Sequence, residues 1–173
     1  MKGVIAHCLG KLVKSKFGVD KWETILEDAG LPRHSSFMAT QDIPDEDILN
    51  VVASVCKVLN INIQQAADAF GEFWVNDYAP QIYSLYYRQA DSAKDFLLNM
   101  DNVHKNTTEN IPNAHPPRFE YEWRDDNTLI MTYQSKRGLM DFLVGLIKGV
   151  GTYYKEELDV KQIGNDKVQI VFS

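Results

Sequence analysis

The sequence predicts an α+β fold: a helical N-terminal part packed on a C-terminal antiparallel sheet with helices. Three observations carry this. Apolar residues recur at spacings of three and four from the start to about residue 104. The proline-rich connector TTENIPNAHPPR then interrupts that pattern. Beyond it come strand-like runs with turn pairs between them. A chain of 173 residues has room for one domain of two cooperating parts, about 1–63 and about 64–173.

In MKGVIAHCLGKLVKSKFG, Ile5, Leu9, Leu12, Val13 and Phe17 form one apolar helical face. The first helix therefore starts almost at Met1. A second, carrying Trp22, Ile25 and Leu26, stops at Gly30 before Leu31-Pro32, and a loop runs from His34 to Pro44. Asp45-Glu46-Asp47 place acid in the first turn of a third helix, which carries Ile48, Val51, Val52, Val55 and Leu59 and ends near Asn60. Gln64 to Tyr78 and Gln81 to Gln89 stay helical with a heavy aromatic load, which core packing explains. Ser92 is an expected N-cap for a single helix through AKDFLLNMDNVHKN, with Leu97, Met100 and His104 at i, i+3 and i+7. FEYEWRDD, NTLIMTYQSKR and DVKQIGNDKVQIVFS read as strands, with Asp126-Asn127 and Gly164-Asn165 at hairpin turns. GLMDFLVGLIKGVGTYYKEEL reads as a helix between the later strands, its glycines serving close packing.

Composition narrows the function. Eighteen basic and twenty-four acidic residues give net −6, the wrong sign for a phosphate-backbone binder, so no nucleic-acid partner is expected. No apolar run approaches the ~20 residues of a membrane span, so no membrane partner is expected either. Cys8 and Cys56 form neither a CxxC pair nor a metal cluster, and lysines break the opening apolar stretch before a secretory core can form. The chain reads as cytoplasmic.

Hydrolytic and nucleotide-binding motifs are missing: there is no HExxH, no P-loop and no GxGxxG. Of the four histidines, His7 falls on the exposed side of the first helix, and His34 and His115 lie in loops. His104 differs, because an imidazole on an apolar helix face must find partners for its ring nitrogens. Spacing alone leaves it either a satisfied core histidine or a ligand. Strand alternation puts Tyr133, Ser135 and Arg137 on one face of NTLIMTYQSKR, three donors spread over roughly 13 Å. Such a row suits one or two carboxylates, and an ordinary solvated face explains it too.

Taken together, Tyr133-x-Ser135-x-Arg137, Met100-Asp101-x-Val103-His104, Pro116-Pro117-Arg118, the opening MKG and AFGEFWV resemble the haem nitric oxide/oxygen binding (H-NOX) domain. This sensor module is shared by bacterial gas sensors and soluble guanylate cyclase, and the resemblance covers essentially the whole chain. It implies a haem b cofactor, iron protoporphyrin IX, between a helical part and a part with antiparallel strands and helices. His104 matches the proximal iron ligand; Tyr133, Ser135 and Arg137 match the propionate-binding residues; Pro117 matches a proline that presses on the macrocycle and helps distort it, and Met100 is a further cofactor-binding candidate. Ile5 and Leu9 match the distal side, with Trp74 and Tyr78 as further candidates. Family members that hold oxygen stably carry a distal tyrosine five residues beyond the motif arginine, where this chain has Phe142, followed one turn later by Leu146. An apolar distal side favours nitric oxide over oxygen, because bound oxygen carries partial negative charge and needs a donor.

The resemblance thus implies a non-enzymatic nitric oxide sensor. Its haem ligands would be nitric oxide and carbon monoxide, and its partner in trans a sensor histidine kinase or a cyclic-di-GMP enzyme. An oxygen-binding protein of the same fold, or a cofactor-free interaction module, remain the alternatives.

Overall fold

The computed structural model describes residues 3–173. The chain divides into two compact units, one ending at Ala66 and the other beginning at Ala67.

The first unit holds helices α1 (Gly3–Phe17), α2 (Val19–Asp28) and α3 (Asp45–Leu59), with α1 packed on α2 and α2 on α3. The expected apolar face of α1 is observed: Leu9, Leu12 and Val13 are buried, whereas Phe17 is exposed. Gly10 lets the Trp22 ring close to within 3.0 Å of where a Cβ would stand. Gly30 has φ 78 and ends the α2 region, as its position before Leu31-Pro32 suggested. At the far end of α3, Asn60 takes the left-handed conformation and caps the helix. Asp28 accepts from Ser54 at 2.9 Å and pairs with Lys57, tying α2 to α3.

Helix α4 (Ile63–Phe73) leads into a π-helical turn, Trp74–Tyr78, followed by α5 (Ala79–Ile82) and α6 (Ser84–Arg88). The helix expected over Gln81 to Gln89 is therefore two short pieces, because Tyr83 leaves helical geometry at φ −115, ψ 28. Ser92 caps α7 (Ala93–Leu98) by accepting from the Asp95 N–H at 3.0 Å. The next helix, α8 (Met100–Thr108), is separate: Asn99 interrupts what the sequence presented as one helix.

Strands β1 (Arg118–Trp123), β2 (Thr128–Gln134), β3 (Leu158–Gln162) and β4 (Lys167–Phe172) form an antiparallel sheet in the order β1-β2-β4-β3. Both expected hairpin turns are present, and Asp125 builds the first by accepting the N–H groups of Asn127 and Thr128 at 2.9 and 2.8 Å. Strand β2 stops at Gln134, so Ser135 and Arg137 belong to the following turn and not to the strand face on which the sequence placed them. Their alternation survives: Tyr133 is buried, Ser135 and Arg137 are half-buried, and Gln134 and Lys136 are exposed.

Helix α9 (Met140–Tyr154) lies between β2 and β3 in sequence and buries Leu143, Val144, Ile147 and Val150 in a core shared with Leu129, Met131, Val168 and Ile170. Its glycines meet backbone directly. A Cβ on Gly145 would stand 2.2 Å from the Ala67 carbonyl oxygen, and one on Gly71 would stand 2.2 Å from the Gly145 carbonyl. Asn76 reaches across the same contact to donate to the Gly149 carbonyl at 3.2 Å. Backbone cannot yield as a side-chain tip can. Gly145→Ala should therefore cost about 1–3 kcal/mol in urea unfolding, while Gly164→Ala, where nothing lies within 4 Å, should stay within about 0.5 kcal/mol.

Candidate functional site

Helix α8 presents His104 one turn after Met100. The imidazole Nδ1 lies 2.9 Å from the Met100 carbonyl oxygen, so Nδ1 carries the proton and donates it. Nε2 is left with a lone pair and hydrogen-bonds to no described residue. Burial pushes the imidazole pKa down, opposed by the Met100 carbonyl and the Asp101 charge, so the neutral, ligating form prevails near pH 7. That is the tautomer a metal ligand needs. No residue of α8 is fully buried, so the expected apolar stripe is a half-buried face bearing Met100, Val103 and His104.

The Phe119 ring lies edge-on to the His104 imidazole at 5.4 Å and tilted against Tyr133 at 5.8 Å. The sheet register explains the second contact, since Phe119 and Tyr133 are cross-strand partners. Beyond Tyr133, Ser135 Oγ accepts from the Arg137 N–H at 3.3 Å, and the Arg137 guanidinium donates to the His115 carbonyl at 2.8 Å. Pro117 directly precedes β1 and is half-buried. A chain of ring contacts thus runs from His104 on α8 through Phe119 on β1 to Tyr133 on β2, with Ser135 and Arg137 in the turn that follows.

A second group surrounds the start of α9. Phe142 is half-buried and edge-on to Phe70 at 5.4 Å; Phe70 stacks on Trp74 at 5.8 Å and Trp74 on Tyr78 at 5.4 Å. The π-turn sets this ladder. There the Ala79 N–H donates to the Trp74 carbonyl, five residues back. Leu146, half-buried, packs against the core of the same unit. In the first unit, Ile5 is half-buried against Ala6, Ile43 and Ile48, and Leu9 is buried.

The other histidines stand apart. His34 is bonded to Glu23 at 3.0 Å, and the His115 side chain is exposed. His7, expected on the exposed side of α1, is half-buried instead, because it lines a cleft of about 440 Å³ with Trp22, Phe37 and Lys14. That cleft contains none of the site residues inferred above.

Among the described residues no group of three or more His, Cys, Asp or Glu could hold a metal ion. A metal on His104 would need its remaining donors from a prosthetic group. The donor set suits the carboxylates of a porphyrin, for which the Tyr133 and Ser135 hydroxyls and the Arg137 guanidinium could serve as hydrogen-bond donors.

The family model for haem-NO-binding matches residues 2–162. The chain belongs to the haem-NO-binding family. Soluble guanylate cyclase gcy-34 of Caenorhabditis elegans is 29% identical over 155 residues, which are 87% of this chain and 22% of that protein. Soluble guanylate cyclase 89Da of Drosophila melanogaster is 24% identical over 147 residues, 84% of this chain and 22% of that protein. The chain thus spans about a fifth of these relatives' lengths. Among solved structures, an H-NOX mutant carrying 4-cyano-L-phenylalanine is 25% identical with a TM-score of 0.90, covering 100% of this chain and 97% of its own. An oxygen-binding H-NOX domain related to soluble guanylate cyclases, in its oxygen complex, is 26% identical with a TM-score of 0.84, covering 100% and 95%. The fold inferred from sequence is therefore the H-NOX fold. No helix among the described residues of this haem-NO-binding chain is long and apolar enough to cross a membrane.

Sequence reasoning missed the residues that seat α8. Asp101 takes two bonds from Arg118, at 2.7 and 2.5 Å, and one from the Phe119 N–H at 3.0 Å. Asp101 and Arg118 both stand in motifs that carried the resemblance, but only folding brings them together. Arg118 holds the Asp101 carboxyl down at about 2, against the opposing effect of burial and with help from the Phe119 N–H. The ordinary value is about 3.9. A depressed carboxylate stabilises the fold above the unfolded value, and that contribution is lost as pH falls through about 4 toward 2. Urea unfolding should therefore show Asp101→Asn weaker than the unmodified protein at pH 6, with the gap closing between pH 4 and pH 2.5.

Proposed function

We propose that this chain is a haem-based nitric oxide sensor domain, without catalytic activity of its own, that signals in trans from the cytoplasm. The observation that carries the reading is His104, whose Nδ1–H is pinned to the Met100 carbonyl while Nε2 keeps an uncommitted lone pair. Ferrous haem b supplies, when bound, the metal at which the diatomic gas ligates. His104 is its one protein ligand. The Tyr133 and Ser135 hydroxyls and the Arg137 guanidinium would hold the propionates, Pro117 would press on the macrocycle, Met100 would contact it, and Ile5, Leu9, Phe142 and Leu146 would keep the distal side apolar. Trp74, stacked on Phe70, and Tyr78, stacked on Trp74, would extend that lining.

Phe142 carries no donor, so selectivity falls to nitric oxide and carbon monoxide. With haem bound, nitric oxide would weaken or break the tie from His104, and the release of α8 would be the start of a two-state shift of the subdomains that a partner could read. That partner is a sensor histidine kinase or a cyclic-di-GMP enzyme.

The deciding experiment is an absorption spectrum of the purified protein, which should show a haem Soret band. A protein without one would favour the cofactor-free module. His104→Gly should lose the ferrous axial bond and recover it with added imidazole; an unchanged ferrous spectrum would move the ligand elsewhere. Arg137→Ala should release haem faster, by roughly ten-fold or more for a lost charge-assisted bond, in transfer to apomyoglobin.

In air the ferrous protein should oxidise or stay unligated. Phe142→Tyr should raise oxygen affinity roughly two- to thirteen-fold, the equivalent of about 0.5–1.5 kcal/mol for one neutral hydrogen bond. A lasting oxygen complex in the unmodified protein would favour the oxygen-binding reading.

A further inference from the structure

The break between α7 and α8 is held together from outside. Tyr121, on β1, accepts from the Asp101 N–H at 3.3 Å through its hydroxyl oxygen and donates the hydroxyl proton to the Leu97 carbonyl at 2.9 Å. One phenol thereby serves an early N–H of α8 and a late carbonyl of α7, groups that a continuous helix would satisfy internally. Asp101 adds the second attachment through Arg118 and the Phe119 N–H. All the groups from β1 belong to residues 118, 119 and 121, and Asp101 stands three residues before His104, on the neighbouring part of the same helix face. The first turn of α8 is thus nailed to β1 at two points, one turn from the imidazole.

We propose that Tyr121 and Asp101 are positioning residues that aim the His104 Nε2 and set how readily His104 lets go of its metal. This rests on the haem reading above. A clamped first turn holds Nε2 in one direction, so ligation costs little ordering. A loosened turn lets α8 fray, ligation then costs more conformational entropy, and His104 is released more easily. Burial pushes the Tyr121 phenol up to about 12, so it remains a proton donor throughout the physiological range.

The test compares Tyr121→Phe, which keeps the ring and removes both bonds, with Asp101→Asn, and with Glu120→Gln as a surface control on the same strand. Resonance Raman of the ferrous unligated protein should show the iron–histidine stretch lowered and broadened in the first two variants and unchanged in the control. In the ferrous nitric oxide complex, the ratio of released to ligated His104 should rise roughly two- to ten-fold. Where release is already complete in the unmodified protein, the Raman shift decides. Hydrogen exchange of the α8 amides in the haem-loaded protein should quicken in both variants. A Soret band with an unshifted stretch and unchanged α8 exchange in both would overturn the clamp alone, whereas no Soret band in the unmodified protein would overturn the haem reading and the clamp with it. If Tyr121→Phe fails to fold, Asp101→Asn carries the same decision.

Discussion

The second unit depends on a helix contact with no room for a side chain. Gly71, Gly145 and Gly149 each place a hydrogen where any Cβ would stand within about 2.5 Å of opposing backbone. This close approach lets α9 lie directly on α4 and the π-turn. Its opposite side then reaches the sheet, where Ile147 and Val150 join Leu129, Met131 and Ile170. Phe142 meets Phe70 for the same reason: with the backbones this near, the first turn of α9 brings its ring edge-on to the α4 aromatic. A bulkier residue at any of the three positions would separate the aromatic ladder from the residues that accompany it.

The other side of the site is arranged by polar groups. Among its neighbours His104 is a neutral base, held so by burial and by a proton committed to Met100. The nearest acidic charge in sequence, Asp101, is neutralised locally by Arg118. A field that would protonate the imidazole is thereby damped, and Nε2 stays available. The chemistry of the pair follows from position: the carboxylate is spent on seating the helix, and the imidazole one turn later commits only Nδ1, to the Met100 carbonyl.

These two arrangements differ in what they resist. The glycine contact excludes volume, and its failure is steric and abrupt. The attachment of α8 is made of hydrogen bonds to half-buried or exposed partners, each worth about 1 kcal/mol net, and can open without unfolding the sheet behind it. A sensor needs both kinds, a rigid frame and one element poised to move.

The class of fold, the hairpin turns, the N-cap at Ser92, the end of the third helix near Asn60 and the exceptional standing of His104 were legible in the sequence alone, because each is encoded within a few residues by period, turn chemistry or a polar group on an apolar face. The family signature added Tyr133, Ser135, Arg137 and Phe142 as a set. The tertiary structure decided where regular elements stop. Asn99 can break a helix because the Tyr121 hydroxyl, far along the chain, satisfies the exposed groups on both sides. Trp74–Tyr78 can take an extra residue per turn because Asn76 bonds across to the Gly149 carbonyl. Strand β2 ends at Gln134, so that Ser135 and Arg137 serve a turn. Hydrophobic period records which side of a segment is covered, a local property; interruptions are stabilised by hydrogen-bond partners dozens of residues away, which only the folded chain brings within reach.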